Sequence, residues 1–316
     1  MNPAFSVIFL TTLIGCGQGL FLALYLSELL VRLDGGVLPE SRYFSVGSLM
    51  AVGFMAAGLL ASFFHLGHPE RAWRSAAMWK TSWLSREVIA LPLTMLAIFV
   101  YGVLHYPAMQ EETTHTIWVG AIATVLTILL FFCTGMIYAC IRFLQEWATP
   151  LTVINFLLMG CASGFLLAAA FTSVTENLYT QELAGMALVL TVLAGSGRCA
   201  ALLRNRHLRP KSTLQSAIGV KHDQIVQRAQ GFMGGAFNTR EFFHRHTEKF
   251  VRSIKWIFLL LAFLVPVLLL IVVLANVESV LLFVCFGLQF SGLLFERWYF
   301  FADANHPQNI YYQAIG

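Results

Sequence analysis

Apolar residues run through this chain in long uncharged stretches, eight in all, broken by connections where charged residues, Pro and Asn gather. A helix needs roughly 20 apolar residues to cross the hydrocarbon of a bilayer. The stretches have that length and predict helices at Phe5–Leu30, Tyr43–Phe64, Val88–Met109, Ile117–Ile141, Leu151–Thr172, Leu183–Leu203, Trp256–Ala275 and Val280–Phe301. Barrel strands would be about half as long and would alternate apolar with polar positions, which these do not. The expected fold class is all-α: a polytopic bundle of eight transmembrane helices, a single membrane domain over residues 1–316. Three spans are irregular. The sixth carries Arg198 near its end, the eighth carries Gln289 and then Glu296-Arg297, and Pro266 sits mid-span in the seventh, where a kink is expected. The start, Met1-Asn2-Pro3-Ala4, lacks the basic segment of a signal peptide, so the first stretch is expected to remain as a span.

Composition agrees: charged residues make up 11%, where a soluble domain carries about a quarter. The distribution of charge adds an orientation. Of the 20 Lys and Arg residues, 18 fall on alternate connections, the side holding both termini, and only Arg32 and Arg42 lie on the other. Basic residues stay in the cytoplasm, so both termini are expected there, in the inner membrane of a bacterium. Six cysteines occur singly with no C-x-x-C pair, so neither an iron–sulfur cradle nor a zinc site is expected. Haem is not expected either, because no span carries a histidine near mid-depth.

The main extramembrane piece is the basic loop 205–252 between spans six and seven. It opens on the run Arg204 to Lys211 and continues through a polar stretch, read as helical, from Ser212 to Arg228. A glycine-rich turn around Phe237 follows, then Arg240-Glu241-Phe242-Phe243. Attraction to anionic lipid accounts for such charge. The aromatic pairs and glycines point further, to a docking platform for a cytoplasmic partner with Arg206, Arg209, Lys211, Phe237, Arg240 and Phe242 as its contacts. Gly15 and Gly19 in the first span, and Ala57/Ala61 with Gly58/Ser62 in the second, have the spacing that lets helices approach closely; the glycines would also leave room for a flat ligand.

The chemistry-bearing residues gather on the basic side. His65-Leu66-Gly67-His68-Pro69-Glu70-Arg71-Ala72-Trp73 closes span two and Ser85-Arg86-Glu87 opens span three. The intervening 21 residues can fold back as a surface helix and bring His65 to Glu87. An imidazole and a carboxylate at a membrane boundary form a proton relay, which quinone chemistry needs because each two-electron turnover moves two protons. The bland alternative is that His65 caps a helix and Glu87 pairs with Arg86 or Arg71 at a first turn. Spacing alone leaves both open. Trp73, Trp79 and Trp83 beside Arg71 and Arg74 are ordinary interfacial anchors, or else close a quinone pocket.

With these motifs in view the chain resembles the membrane anchor subunits of the dimethyl sulfoxide reductase family of molybdenum enzymes. The resemblance spans nearly the whole length: the eight spans, the His65 segment, Ser85-Arg86-Glu87, and a last span ending Glu296-Arg297-x-Tyr299-Phe300. It implies an anchor that binds a quinone, ubiquinone or menaquinone, near an iron–sulfur subunit, with His65 and Glu87 matching the family's quinone-linked pair. Arg71, Arg297 and Trp83 would complete that site, the arginines steadying negative charge. The long basic loop, the cytoplasmic placement of His65 and Glu87, and the tail Phe301-Ala302-Asp303-Ala304-Asn305-His306-Pro307-Gln308-Asn309 resemble more narrowly the anchors of cytoplasmic membrane-bound sulfite dehydrogenases. That likeness implies a molybdenum catalytic subunit and an iron–sulfur subunit as partners, with electrons from sulfite passing to the quinone pool. The alternatives are an anchor of a related reductase that oxidises quinol, or a structural tether without a quinone site of its own.

Overall fold

The computed structural model describes residues 1–35, 42–64, 66–106, 114–175, 179–209, 211–226, 228, 241–276 and 278–311. Among these, eight helices are long and apolar enough to cross a membrane. They are α1 (Phe5–Leu33), α2 (Tyr43–Phe63), α3 (Trp83–Leu104), α4 (Thr114–Ala139), α5 (Pro150–Thr172), α6 (Thr180–Arg206), α8 (Glu248–Ala275) and α9 (Ser279–Ala302). A short α7 (Leu214–Ile218) lies in the sixth connection, and the second folds into an exposed 3-10 segment, Pro69–Met78.

Several boundaries differ from the hydropathy reading because paired charges extend helices past their apolar cores. α1 runs on to Leu33, with Arg32 held 2.6 Å from Glu28 one turn back. The sixth span runs to Arg206 rather than Leu203. The seventh starts at Glu248, where the Thr247 hydroxyl caps the amide of Phe250, so the last residues of the basic loop are helical. α3 begins at Trp83, capped by Ser82, which places Glu87 one turn inside the helix rather than at its opening. The polar stretch after Ser212 is helical only over Leu214–Ile218.

α1 and α5 form the axis of the bundle: 72% and 78% of their most apolar windows are buried, against 33–39% in the other six spans. They cross with main chains in contact. A methyl group at Gly19 would overlap the carbonyl of Gly160, and one at Gly164 would overlap the backbone of Gly19. In lipid, where apolar surface gains nothing by leaving its surroundings, such close approach is what holds helices together.

The kink expected at Pro266 takes a specific form. Proline cannot donate to the carbonyl of Ala262 four residues back, and the helix widens into a π turn over Leu259–Leu264 just before it. The side-chain amide of Gln289 on α9 reaches the freed Ala262 carbonyl at 3.4 Å and the Thr191 hydroxyl at 2.9 Å. Gln289, which looked like an imperfection in the eighth span, is the partner of the seventh.

Met1, whose amino group donates to the Ala304 carbonyl at 2.8 Å, and the described tail as far as residue 311 lie at one end of the bundle, tied to the connections there. The Trp147 indole donates to the Phe300 carbonyl (3.0 Å), Asn205 to Asp303 (3.2 Å) and Asn309 to the Phe242 carbonyl (3.0 Å). This end carries the basic connections and is called the basic face below.

Candidate functional site

Glu87 is buried at the basic-face end of α3, 8% exposed, and turned into the bundle rather than toward lipid. Its Oε1 accepts a 2.5 Å hydrogen bond from the Thr134 hydroxyl on α4, and its Oε2 accepts from no described side chain. The ion pair weighed for it does not form. Arg86 instead donates to the carbonyls of Trp79 (2.9 Å) and Lys80 (2.8 Å), and Arg71 lies near Glu70. A buried acid without a basic partner is costly, which makes Glu87 a candidate functional residue.

Against Glu87 lies a cavity of about 10 Å³ walled by Thr11, Gly15, Gln18, Phe131 and Thr134, among others. A second, of about 20 Å³, shares Thr11, Gly15 and Phe156 with the first and ends at Arg297. Each has room for about one water and neither for a quinone ring.

Arg297 belongs to a buried charge cluster. Its Nε is 3.1 Å from Glu296 Oε2, its Nη2 donates to the Met159 sulfur at 3.0 Å, and its guanidinium lies 3.8 Å above the Phe156 ring centroid. Glu296 is also 2.7 Å from Arg198 Nε, though off the hydrogen-bond axis, and Arg198 Nη2 has no hydrogen-bond partner among the described residues. The rings of Phe258, Tyr299 and Phe300 surround the Arg198 guanidinium at 5.7–5.9 Å. Two cations and one anion in a nearly closed space leave one positive charge in excess.

The remaining site residues fall into three groups. Trp83 is half-buried, its ring edge-on to Phe132 and covered by the Arg86 guanidinium at 4.1 Å. Arg71 sits on the exposed 3-10 segment, its side chain 58% exposed, and no contact among the described residues joins it to Glu87. His65, Phe237 and Arg240 lie outside the described residues.

Of the docking residues, Arg206, Arg209 and Lys211 are at the surface, and Phe242 stacks on His306 of the tail with centroids 3.7 Å apart. Lys211 lines a cleft of about 680 Å³ on the basic face together with Phe143, Glu146, Asn205, His306 and Asn309. Burial pushes the Glu146 carboxyl up from its ordinary value and the His306 and His244 imidazoles down.

The hydropathy reading missed a second polar cluster, at the opposite end. Glu28, fully buried, accepts from the Arg32 guanidinium (2.6 Å), the Tyr101 hydroxyl (2.8 Å) and the Thr116 hydroxyl (2.5 Å). His105 Nε2 stands 3.6 Å from the same carboxylate. His105, at the C-terminal cap of α3, is thus an interior residue. The i, i+4 pair Glu28/Arg32 was the available signal.

Eight apolar helices with a basic extramembrane face at one end define a polytopic membrane protein. Residues 1–303 match the family model of the DMSO reductase anchor subunit (DmsC), and the chain belongs to that family. It is similar to a subunit of the sulfite dehydrogenase of Allochromatium vinosum, at 50% identity over 324 aligned positions covering the whole of both chains.

Proposed function

We propose that this chain anchors a sulfite-oxidising molybdenum and iron–sulfur assembly to the cytoplasmic membrane and provides the site at which a quinone takes up electrons and protons. The observation that carries the reading is Glu87: a buried carboxyl with one oxygen held by Thr134, the other without a partner among the described residues, and no cation beside it there. Its open oxygen fits a group that exchanges protons with a bound headgroup. The cavities on its bundle side are too small for a ring, so His65 and Trp83, with Glu87 at the ends of α2 and α3, are the residues that would hold one. A bound quinone supplies a two-electron acceptor that requires two protons. Glu87 holds a proton at its carboxyl, Thr134 fixes the orientation of that carboxyl, and His65 donates a hydrogen bond to a carbonyl oxygen.

The basic face, with its cleft and with Arg206, Arg209, Lys211 and Phe242, along with Phe237 and Arg240, receives an iron–sulfur partner. The orientation rests on the excess of Lys and Arg on that side. Identity over the full length of a sulfite dehydrogenase subunit supports sulfite as the electron source. The test is quinone reduction in membranes carrying His65→Ala or Glu87→Gln, with partner attachment followed in parallel. Loss of turnover with attachment intact is expected. Undiminished turnover makes the chain a tether.

A further inference from the structure

At the end of the bundle away from the basic face, a cleft of about 440 Å³ lies between the start of α2 and the end of α3. The two helices touch at Ser48 and Gly102, both buried, and a methyl group on the glycine would overlap the serine side chain. Val46, Leu49 and Phe99 line the cleft beyond this contact and are exposed, so it opens toward hydrocarbon rather than into the bundle. Arg42, just before α2, and Tyr106, just after α3, stand exposed at its edge. Positions at the ends of spans lie at headgroup depth. Arg42 and Arg32 are the basic residues of this end. The Arg32 guanidinium donates to Glu28 (2.6 Å) and Thr116 (2.8 Å), and Asp34 accepts from the Tyr179 hydroxyl. No described carboxylate pairs with Arg42, which leaves a cation beside an apolar recess.

We propose that this cleft holds one anionic phospholipid, with an acyl chain along Val46, Leu49, Phe99 and Val103 and the phosphate on the Arg42 guanidinium. Ligand clefts run to roughly 300–1,000 Å³ and are walled by apolar side chains, with a few polar groups that fix orientation. This cleft has that make-up. The charge selects among the long-chained molecules of a membrane. A guanidinium pairs with phosphate through two parallel hydrogen bonds, and a negative headgroup leaves the pair neutral, whereas a zwitterionic one brings a cation of its own. A quinone also has a long apolar chain, but it carries no charge to meet Arg42 and would lie across the bilayer from the basic face. The Ser45 hydroxyl, another polar group of the lining, is spent on the Arg42 carbonyl at 3.1 Å. A chain seated here packs against α2 and α3 together and fastens their ends. The site stands apart from Glu87 and does not depend on a relay there.

Native mass spectrometry can count the lipids that the intact, detergent-purified complex retains after incubation with phosphatidylglycerol or phosphatidylcholine of the same chains. Val46→Trp fills the cleft and Arg42→Gln removes the cation; both positions are exposed, so both variants should assemble. Relative to the unmodified complex, Val46→Trp is expected to lose one retained phosphatidylglycerol per copy of this chain. The unmodified site should favour phosphatidylglycerol about fivefold, the worth of one basic residue near an anionic lipid, and Arg42→Gln should bring the two lipids level. Leu49→Trp fills the same space from a second exposed position and repeats the count should Val46→Trp assemble poorly. Equal retention in the unmodified and filled complexes means an unspecific lipid annulus only and overturns the site. Loss of a quinone in place of a phospholipid overturns the occupant, and an unchanged preference in Arg42→Gln overturns the role of the charge.

Discussion

The Thr134 hydroxyl on α4 binds Glu87 Oε1 on α3 at 2.5 Å, and it is the hydrogen bond that orients the carboxyl inside the bundle. Thr134→Val keeps the shape and leaves a buried acid without a donor, at a cost of about 1–3 kcal/mol. The thermal midpoint of the solubilised complex is expected to fall and quinone reduction to drop, while Thr134→Ser restores both. A Val variant with native stability and turnover would show that Glu87 is oriented by something else.

The α1–α5 crossing leaves no space for a side chain at Gly164. Gly164→Ala forces the two central helices apart, and overpacking of this kind costs about 1–3 kcal/mol. The yield of assembled protein in membranes should fall sharply, whereas Gly53→Ala, which faces open space, should leave it unchanged.

Glu296 lies against two buried guanidinium groups at once. Glu296→Gln strands both, and breaking a buried ion pair by removing one partner costs about 3–5 kcal/mol. Arg198→Met leaves Glu296 and Arg297 as a balanced pair and should cost distinctly less. Unfolding midpoints of the two variants, measured side by side, check the order; the reverse order would mean the cluster is not held by charge balance.

His306 is stacked on Phe242 and its imidazole titrates below the ordinary value because burial disfavours the charged form. Above the ordinary imidazole value both folded and unfolded forms are neutral, and the stack is at full strength. As pH falls through that value and on toward the depressed folded one, the open form takes up the proton first, so the stack weakens with acidification. Protection factors of the amides around Asn309, taken against the intrinsic exchange rate at each pH, should therefore fall below about pH 6.5. His306→Phe should abolish that dependence while keeping the tail docked.

Much of this was legible in the chain before folding. Twenty-residue apolar stretches report their own existence, and the singling out of Gly15, Gly19, Glu87, Gln289 and Arg297 came from residues that are costly or conspicuous in lipid. What pattern could not supply was partnership. Glu28 reads as an ordinary acid near a helix end until Tyr101 and Thr116, on two other helices, are brought to it. Gly160 and Gly164 have meaning only opposite Gly19. Boundaries slipped for a related reason: hydropathy treats Arg32 and Arg206 as stops, although a charge that finds a carboxylate or reaches the interface lets the helix continue. The ion pair of Glu87 with Arg71, one of the alternatives to a relay, does not form because the 3-10 backbone over Pro69–Met78 holds Arg71 at the surface.

The basic face is sewn together by the last part of the chain to be made: Phe300 meets Trp147, Asp303 meets Asn205, and Asn309 meets the Phe242 carbonyl. The fourth connection and the end of α6 already meet where Arg204 donates to the Gln145 carbonyl at 3.0 Å, and residues 300–309 tie the sixth connection to that frame. The surface proposed to receive a partner therefore depends on contacts made by residues 300–309, and its connections would lose their mutual register without them.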